Sequence, residues 1–153
     1  MMENIKYISL SLIHDIGASN INSSESYVYI HNKKTEISIP VQRLEAAILL
    51  DDGRYLLFAT DDTPFEEPLE IFLIELHEGV QEWISLSLIY GTGTFHNLKL
   101  YESFIEFSYF KDEVWRINVT ESRQFKFPSY SRGIISRHST RFKSFIDIKL
   151  ISI

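Results

Sequence analysis

The chain contains no cysteine among its 153 residues. This absence excludes disulfides, thiolate catalysis, iron–sulfur clusters and zinc sites built from cysteine. Glycine and proline are also scarce, with six and four residues, whereas aromatic residues make up 14% of the chain. Because aromatic and β-branched residues favour strands, the composition predicts a sheet-rich protein with enough apolar material to build a core.

Long apolar runs are missing as well. No stretch approaches the 18 uncharged residues expected of a membrane-spanning helix. The apolar run at 7–13 is short, is broken by Ser9 and Ser11, and is not followed by the cleavage site of a signal peptide. We therefore expect a cytoplasmic protein with no membrane partner, folded as a single β-rich domain over residues 1–153.

Apolar and polar residues alternate along most of the chain. Residues 83–90, 114–119 and 146–150 are clear examples. This period of two predicts half-buried strands. We count about ten such strands with mostly short connections. They predict an all-β fold, an antiparallel meander that forms a sandwich or a barrel, with at most one or two short helices.

Two apolar segments, 44–50 and 69–78, do not alternate and are compatible with either a strand or a helix. The first is rich in helix-favouring residues, and the second is bounded by a proline and a glycine that suit helix ends. We predict strands for both. The Asp52-Gly53 hairpin signal follows the first segment at once, and the second is short and leads directly into an alternating run.

The formal net charge of −6 conceals two segments of opposite sign. Residues 51–82 contain ten acidic residues and one basic residue, whereas residues 123–149 contain seven basic residues and one acidic residue. Either the two segments neutralise each other on the folded surface, or the acidic segment binds a cationic protein, a role in which charge steers association. The overall acidity argues against nucleic acid as the main ligand.

Patterns of catalytic, metal and cofactor sites are not found. No two of the five histidines have the i, i+4 spacing of a helical metalloprotease; they are His14, His31, His77, His96 and His138. Adjacent carboxylates at 51–52, 61–62 and 66–67 lack the spacing of a calcium loop. The turn 91–93 lacks the rest of a dinucleotide or phosphate-binding motif, and no Gly-x-Ser-x-Gly sequence occurs. We predict no catalytic residue, no metal and no cofactor.

The basic segment 123–149 suggests an alternative function. Its arginines and lysines are interleaved with aromatic residues, a combination that can clamp phosphates and stack bases. A barrel or sandwich that binds single-stranded nucleic acid would use Arg132, Arg137, Arg141 and Lys143. We favour the interpretation that residues 128–140 are a surface loop whose charge balances the acidic segment.

The chain is small, acidic, cysteine-free and β-rich, with a DDGR turn at 51–54 and an acidic, proline-containing loop after it. In these features it resembles the immunity proteins of bacterial contact-dependent inhibition and related polymorphic toxin systems. The resemblance implies a cognate toxin, often a basic nuclease, that is blocked by occlusion. Charge complementarity then predicts that acidic residues contact the toxin, with Tyr55 or Trp83 as an aromatic anchor. These acidic residues are Asp51, Asp52, Asp61, Asp62, Glu66, Glu67 and Glu70.

Overall fold

A computed structural model of the chain describes residues 1–13, 24–61, 67–88, 93–125, 134–138 and 143–152. The described residues form thirteen β-strands and no helix, which confirms the all-β prediction. The strands are β1 (Glu3–Ile5), β2 (Ile8–Leu12), β3 (Ser26–Ile30), β4 (Lys33–Ile39), β5 (Arg43–Leu49), β6 (Tyr55–Thr60), β7 (Leu69–Glu75), β8 (Gly79–Leu86), β9 (His96–Leu100), β10 (Ile105–Ser108), β11 (Val114–Phe125), β12 (Ile135–Arg137) and β13 (Lys143–Ser152).

The strands pair into three antiparallel sheets. A six-stranded sheet has the order β1-β5-β6-β7-β8-β12, a four-stranded sheet has the order β13-β11-β10-β9, and a three-stranded sheet has the order β2-β3-β4. Strands β5 to β8, β9 to β11 and β2 to β4 follow chain order, as a meander does. Strands β1, β12 and β13 instead pair with β5, β8 and β11, which are not their neighbours in the chain.

The six-stranded sheet is the middle layer of a three-layer sandwich. Leu56 and Phe58 of β6 belong to the core shared with the four-stranded sheet, whereas Leu57 and Ala59 belong to the core shared with the three-stranded sheet. All four side chains are fully buried. Because both faces are covered, the inner strands β5, β6 and β7 are largely apolar without regular alternation. This explains the ambiguity of segments 44–50 and 69–78, and the structure confirms that both contain strands, β5 and β7.

The outer sheets bury only one face each. In β11, Trp115 and Ile117 are fully buried against the central sheet, while Arg116 and Asn118 are half-buried on the outer face. Such one-sided burial produces the alternating sequence that predicts a strand directly.

The β5–β6 turn confirms the Asp-Gly hairpin signal. The Gly53 N–H donates to the Leu50 carbonyl at 3.0 Å, and the Leu50 N–H donates to the Arg54 carbonyl at 2.8 Å. Gly53 has a φ of 89°, a conformation that glycine adopts without steric cost. The turn therefore presents Asp51 and Asp52 at one end of the central sheet.

The loop prediction for residues 128–140 is wrong at residues 135–137, which form β12 and pair with β8. Ile134, just before this strand, packs into the core, and Arg137 forms an ion pair with Glu82. A three-residue strand is too short to show a period of two, so its pairing depends on these tertiary contacts.

Glu82 is a buried carboxylate that joins the central sheet to the four-stranded sheet. It accepts hydrogen bonds from the backbone N–H groups of Phe145 at 2.8 Å and Ile146 at 3.2 Å, and its Oε2 lies 3.2 Å from the Arg137 guanidinium. These donors compensate for the cost of removing the carboxylate from water. They hold β13 against β8 where the β11–β13 ladder shifts register.

The three-layer packing predicts that neighbouring residues of β6 are equally important for stability. Leu56→Ala and Leu57→Ala should each lower the free energy of unfolding by about 2–5 kcal/mol, since each opens a cavity in a different core. In the one-sided strand β11, Ile117→Ala should cost a similar amount, but Asn118→Ala should cost less than about 1 kcal/mol. Urea denaturation measures all four. A loss below about 1 kcal/mol for Leu57→Ala would contradict packing on both faces.

Removal of the Glu82 carboxylate should also destabilise the fold. We expect Glu82→Ala to lower the free energy of unfolding by about 3 kcal/mol, because two buried N–H groups lose their acceptor. Glu82→Gln keeps one acceptor oxygen and should lose less, while Glu36→Ala, on an exposed residue, is the control and should change stability by less than about 0.5 kcal/mol. Equal losses for Glu82→Ala and Glu36→Ala in denaturant titrations would show that the Glu82 contacts are dispensable.

Candidate protein-binding surface

The acidic residues predicted to bind a toxin do not form one patch. Asp51 and Asp52 lie in the β5–β6 turn, whereas Asp61 follows the end of β6 and Glu67 precedes β7. These two pairs are therefore at opposite ends of the central sheet. Strand β6 alone separates the ends by about 20 Å.

The members of the predicted set at the Asp61 end are less accessible than expected. Asp61 and Glu67 are half-buried, and Glu70 is buried. Asp62 and Glu66 lie outside the described residues. In the part of this end that the structure describes, the predicted acidic side chains are therefore less accessible to a protein partner than the sequence suggested.

Tyr109 fixes the backbone at that end. Its hydroxyl donates to the Glu67 carbonyl at 2.9 Å, and its side chain is fully buried. Burial raises the pKa of Tyr109, and the negative charges of Glu67, Glu45 and Glu70 raise it further. The phenol therefore keeps its proton and remains a hydrogen-bond donor to the backbone.

Glu70 belongs to a polar cluster that includes a serine and a histidine. The Ser85 hydroxyl oxygen lies 2.5 Å from Glu70 Oε2 and 2.6 Å from His138 Nε2. The Trp83 indole N–H donates to the same Glu70 oxygen, and the His138 ring stacks on Trp83 with centroids 3.5 Å apart.

The order of these groups differs from that of a catalytic triad. In a triad the histidine lies between the serine and the acid and removes the serine proton. Here Ser85 lies between Glu70 and His138. Its hydroxyl donates to the Glu70 carboxylate, so His138 Nε2 must donate to the Ser85 oxygen. The serine proton is therefore directed at the Glu70 carboxylate, and the hydrogen bond between Ser85 and His138 attaches the end of β12 to β8.

A network around buried Arg54 organises the opposite end of the sheet. The Arg54 side chain donates from Nε to Asp52 at 2.9 Å and from Nη2 to the Thr120 carbonyl at 2.7 Å. Its Nη1 donates to Gln81 Oε1 at 3.3 Å, and Gln81 Nε2 donates to Glu78 at 2.8 Å. Arg54 thus ties the β5–β6 turn to the β7–β8 turn and to β11.

Asp52 is held in its ionised form by this network. Partial burial opposes ionisation, but the side-chain and backbone hydrogen bonds from Arg54, together with its charge, outweigh burial and lower the pKa of Asp52. The Asp52 side chain is 27% exposed, whereas that of Asp51 is 58% exposed and contacts the Met1 ammonium. Asp52 therefore serves mainly to position the turn, and Asp51 is the more accessible of the two.

The two turns lie side by side and combine acidic with apolar side chains. The Glu75 carboxylate accepts the backbone N–H groups of His77 at 2.9 Å and Glu78 at 2.6 Å, which orders the β7–β8 turn. Leu76 is exposed beside them. We call this region the hairpin-end surface; its members are Glu3, Asp51, Asp52, Tyr55, Glu75, Leu76 and Glu78.

A cleft of about 270 Å³ adjoins the hairpin-end surface. Asp51 and Asp52 line it from the central sheet, and Glu102 and Glu121 line it from the four-stranded sheet. The apolar residues that line it are Met2, Leu50, Phe104, Ile105, Ile117 and Val119. Glu102 and Glu121 are exposed and were not predicted. They lie outside the acidic segment, and only the pairing of β9 to β11 brings them here.

The two predicted aromatic anchors, Tyr55 and Trp83, have different surroundings in the fold. The Tyr55 hydroxyl lies 3.3 Å from the Tyr7 hydroxyl, and Tyr7 stacks on His31 with centroids 3.9 Å apart. The hydrogen bond with Tyr55, followed by burial, raises the pKa of Tyr7 to about 12. Tyr55 is thus half-buried at the hairpin end, whereas Trp83 lies between Phe72 and His138.

Two described members of the basic segment, Arg123 and Arg137, make contacts of their own. The Arg123 guanidinium lies over the Phe145 ring at 5.0 Å, and Arg137 pairs with Glu82. The Glu82–Arg137 pair joins the acidic and basic segments, as the neutralisation hypothesis predicts. Arg132 and Arg141, predicted for a nucleic-acid site, lie outside the described residues.

Within the ranges that the structure describes, no group of three or more histidines and carboxylates is placed to hold a metal ion. The same ranges contain no helix that is long and apolar enough to cross a membrane.

The lowered pKa of Asp52 predicts a specific pH dependence of stability. A carboxylate whose pKa is lower in the folded than in the unfolded state stabilises the fold above its unfolded value of about 3.9, and this contribution is lost as pH falls through the folded-state pKa. Asp52→Asn should therefore reduce the free energy of unfolding at pH 6 and lose this effect towards pH 2. Urea titrations across this range measure the difference. A difference that is independent of pH would contradict the Arg54 network.

Comparison of the chain with protein-family models, with curated proteins and with solved structures finds no match.

Proposed function

We propose that the chain is a non-catalytic binding protein of the immunity type, which neutralises a basic toxin by covering its active site. The hairpin-end surface is the docking site. The observation that carries the proposal is the Arg54 network, which holds the acidic turns of two neighbouring hairpins in fixed positions.

The chemistry of this surface suits a cationic protein. Asp51 and Glu78 are exposed, and Leu76 and Tyr55 supply apolar area between the acidic groups. Affinity at interfaces concentrates in a few apolar or aromatic residues, while surrounding charges steer the encounter and exclude wrong partners. A nuclease cleft that normally holds phosphates has the complementary charge.

The fixed position of the turns favours tight binding. Asp52, Gln81 and the Glu75 carboxylate already make the hydrogen bonds that order the two turns. Little conformational entropy is then lost on association, and more of the interaction energy appears as affinity. Occlusion of the toxin cleft requires no chemistry from this chain.

The proposal predicts that charge reversal at the hairpin end abolishes protection. Asp51→Lys with Glu78→Lys should slow association with the toxin by on the order of tenfold at low salt, with a smaller effect at high salt. The toxin is identified by capture from the native host. It should be a basic protein whose expression stops growth, and co-expression of the wild-type chain, but not of the double variant, should restore growth.

The matched control is Glu36→Lys with Asp112→Lys. Both residues are exposed, and the change in net charge is the same. Asp112 lies in the β10–β11 turn at the Asp61 end, and Glu36 lies on β4. Equal protection by the two double variants would refute the hairpin-end surface as the docking site. Salt-dependent binding of the purified chain to single-stranded oligonucleotides, without a protein partner, would favour the nucleic-acid alternative.

A further inference from the structure

Strand β13 is a long edge strand of the four-stranded sheet. It covers ten residues and pairs with β11 on one side, and no strand among the described residues pairs with its other side. An edge of this length is a template for pairing with another chain, and natural proteins usually protect such edges.

The Glu82 contacts show which backbone groups the edge offers. The Ile146 N–H donates to Glu82 and not to β11. Because backbone groups alternate in direction along a strand, the N–H and C=O groups of Ile148 and Leu150 also point away from β11. The β11–β13 register is regular from residue 146 to residue 150, so this alternation is not interrupted.

The side chains on the outer face of this edge carry opposite charges two residues apart. Lys149 is exposed and Asp147 is half-buried. Within the sheet, the ladder places Arg116 opposite Lys149 and Asn118 opposite Asp147. Arg116 is itself ion-paired with Glu106 of β10 at 2.8 Å. The cross-strand neighbour of Lys149 is therefore a cation whose partner lies farther into the sheet, and a carboxylate at the open edge would be the complementary partner for Lys149.

We propose that β13 pairs with β13 of a second copy of this chain, antiparallel and centred on Ile148. In this register the two copies of Ile148 exchange backbone hydrogen bonds, and Asp147 of each copy lies opposite Lys149 of the other. Sliding one strand by two residues along the other brings Lys149 opposite Lys149 in one direction and Asp147 opposite Asp147 in the other. Only the central register sets opposite charges against each other.

The resulting dimer is weak, because the contact involves few residues and Glu82 already occupies the Ile146 N–H. It is independent of the proposed function. The hairpin-end surface uses the β5–β6 and β7–β8 turns, whereas the dimer uses residues 147–150 of β13.

Charge exchange tests the proposal. Sedimentation velocity over a range of concentrations should show a monomer–dimer equilibrium for the wild-type chain. Lys149→Asp should shift this equilibrium towards monomer by on the order of tenfold, because it sets carboxylates against each other across the interface. The double exchange Asp147→Lys with Lys149→Asp should restore dimerisation. Lys99→Asp, on the opposite edge strand β9, makes the same change in net charge and should have no effect.

Cysteine cross-linking tests the register, since the chain has no cysteine of its own. Residues 147 and 149 of the two copies form a pair without mutual hydrogen bonds, with Cα atoms about 4.5 Å apart, within reach of a disulfide. An equimolar mixture of Asp147→Cys and Lys149→Cys should therefore form a mixed disulfide faster than either variant alone forms its own.

The outcomes are decisive in both directions. A mixed disulfide together with recovery of the dimer by the double exchange supports the inference. A wild-type chain that stays monomeric at all concentrations, a Lys149→Asp variant that dimerises as well as wild type, or a predominant disulfide between two copies of Lys149→Cys would overturn it. Circular dichroism spectra confirm that each variant keeps the β-sheet fold.

Discussion

Burial of the six-stranded sheet on both faces is the constraint on which the rest of the structure depends. Strands β6 and β7 have no exposed face, so their middle positions carry only apolar side chains. Three charged side chains are buried in this layer, and each contacts several hydrogen-bonding groups. They are Arg54 just before β6, Glu70 near the start of β7 and Glu82 within β8. A buried charge is costly unless it is paired, and these contacts therefore determine how the turns and outer sheets attach.

This constraint also decides how much of the fold could be predicted from the sequence. The outer strands bury one face and were recognisable by alternation, as at Trp115 and Ile117. The inner strands β5 and β7 lack alternation because both of their faces are covered, so the sequence left helix as an alternative. The division into three sheets was not predictable, because the pairings of β1, β12 and β13 join residues far apart in the chain.

The candidate site was predicted in part for a related reason. The acidic segment was visible as a run of charge, but β6 carries the chain across the whole sheet and places Asp51 and Asp61 at opposite ends. Glu102 and Glu121 join Asp51 only through the packing of the four-stranded sheet. Their sequence signal is weak, since each is an isolated acidic residue near a turn or in a strand.

Charge in the sequence is therefore not equivalent to charge available for binding. Glu82 neutralises Arg137 and Glu70 accepts bonds from Trp83 and Ser85, so these carboxylates stabilise the fold. At the hairpin end, Arg54 forms an ion pair with Asp52, which makes this carboxylate less available to a partner, and the same Arg54 contacts order two turns. The turns therefore lose their conformational entropy when the monomer folds and not when it binds, and the remaining acidic groups are exposed to solvent in fixed positions. Such a division, with some charges used to rigidify a surface and others left on it, is what electrostatic recognition of a cationic protein requires.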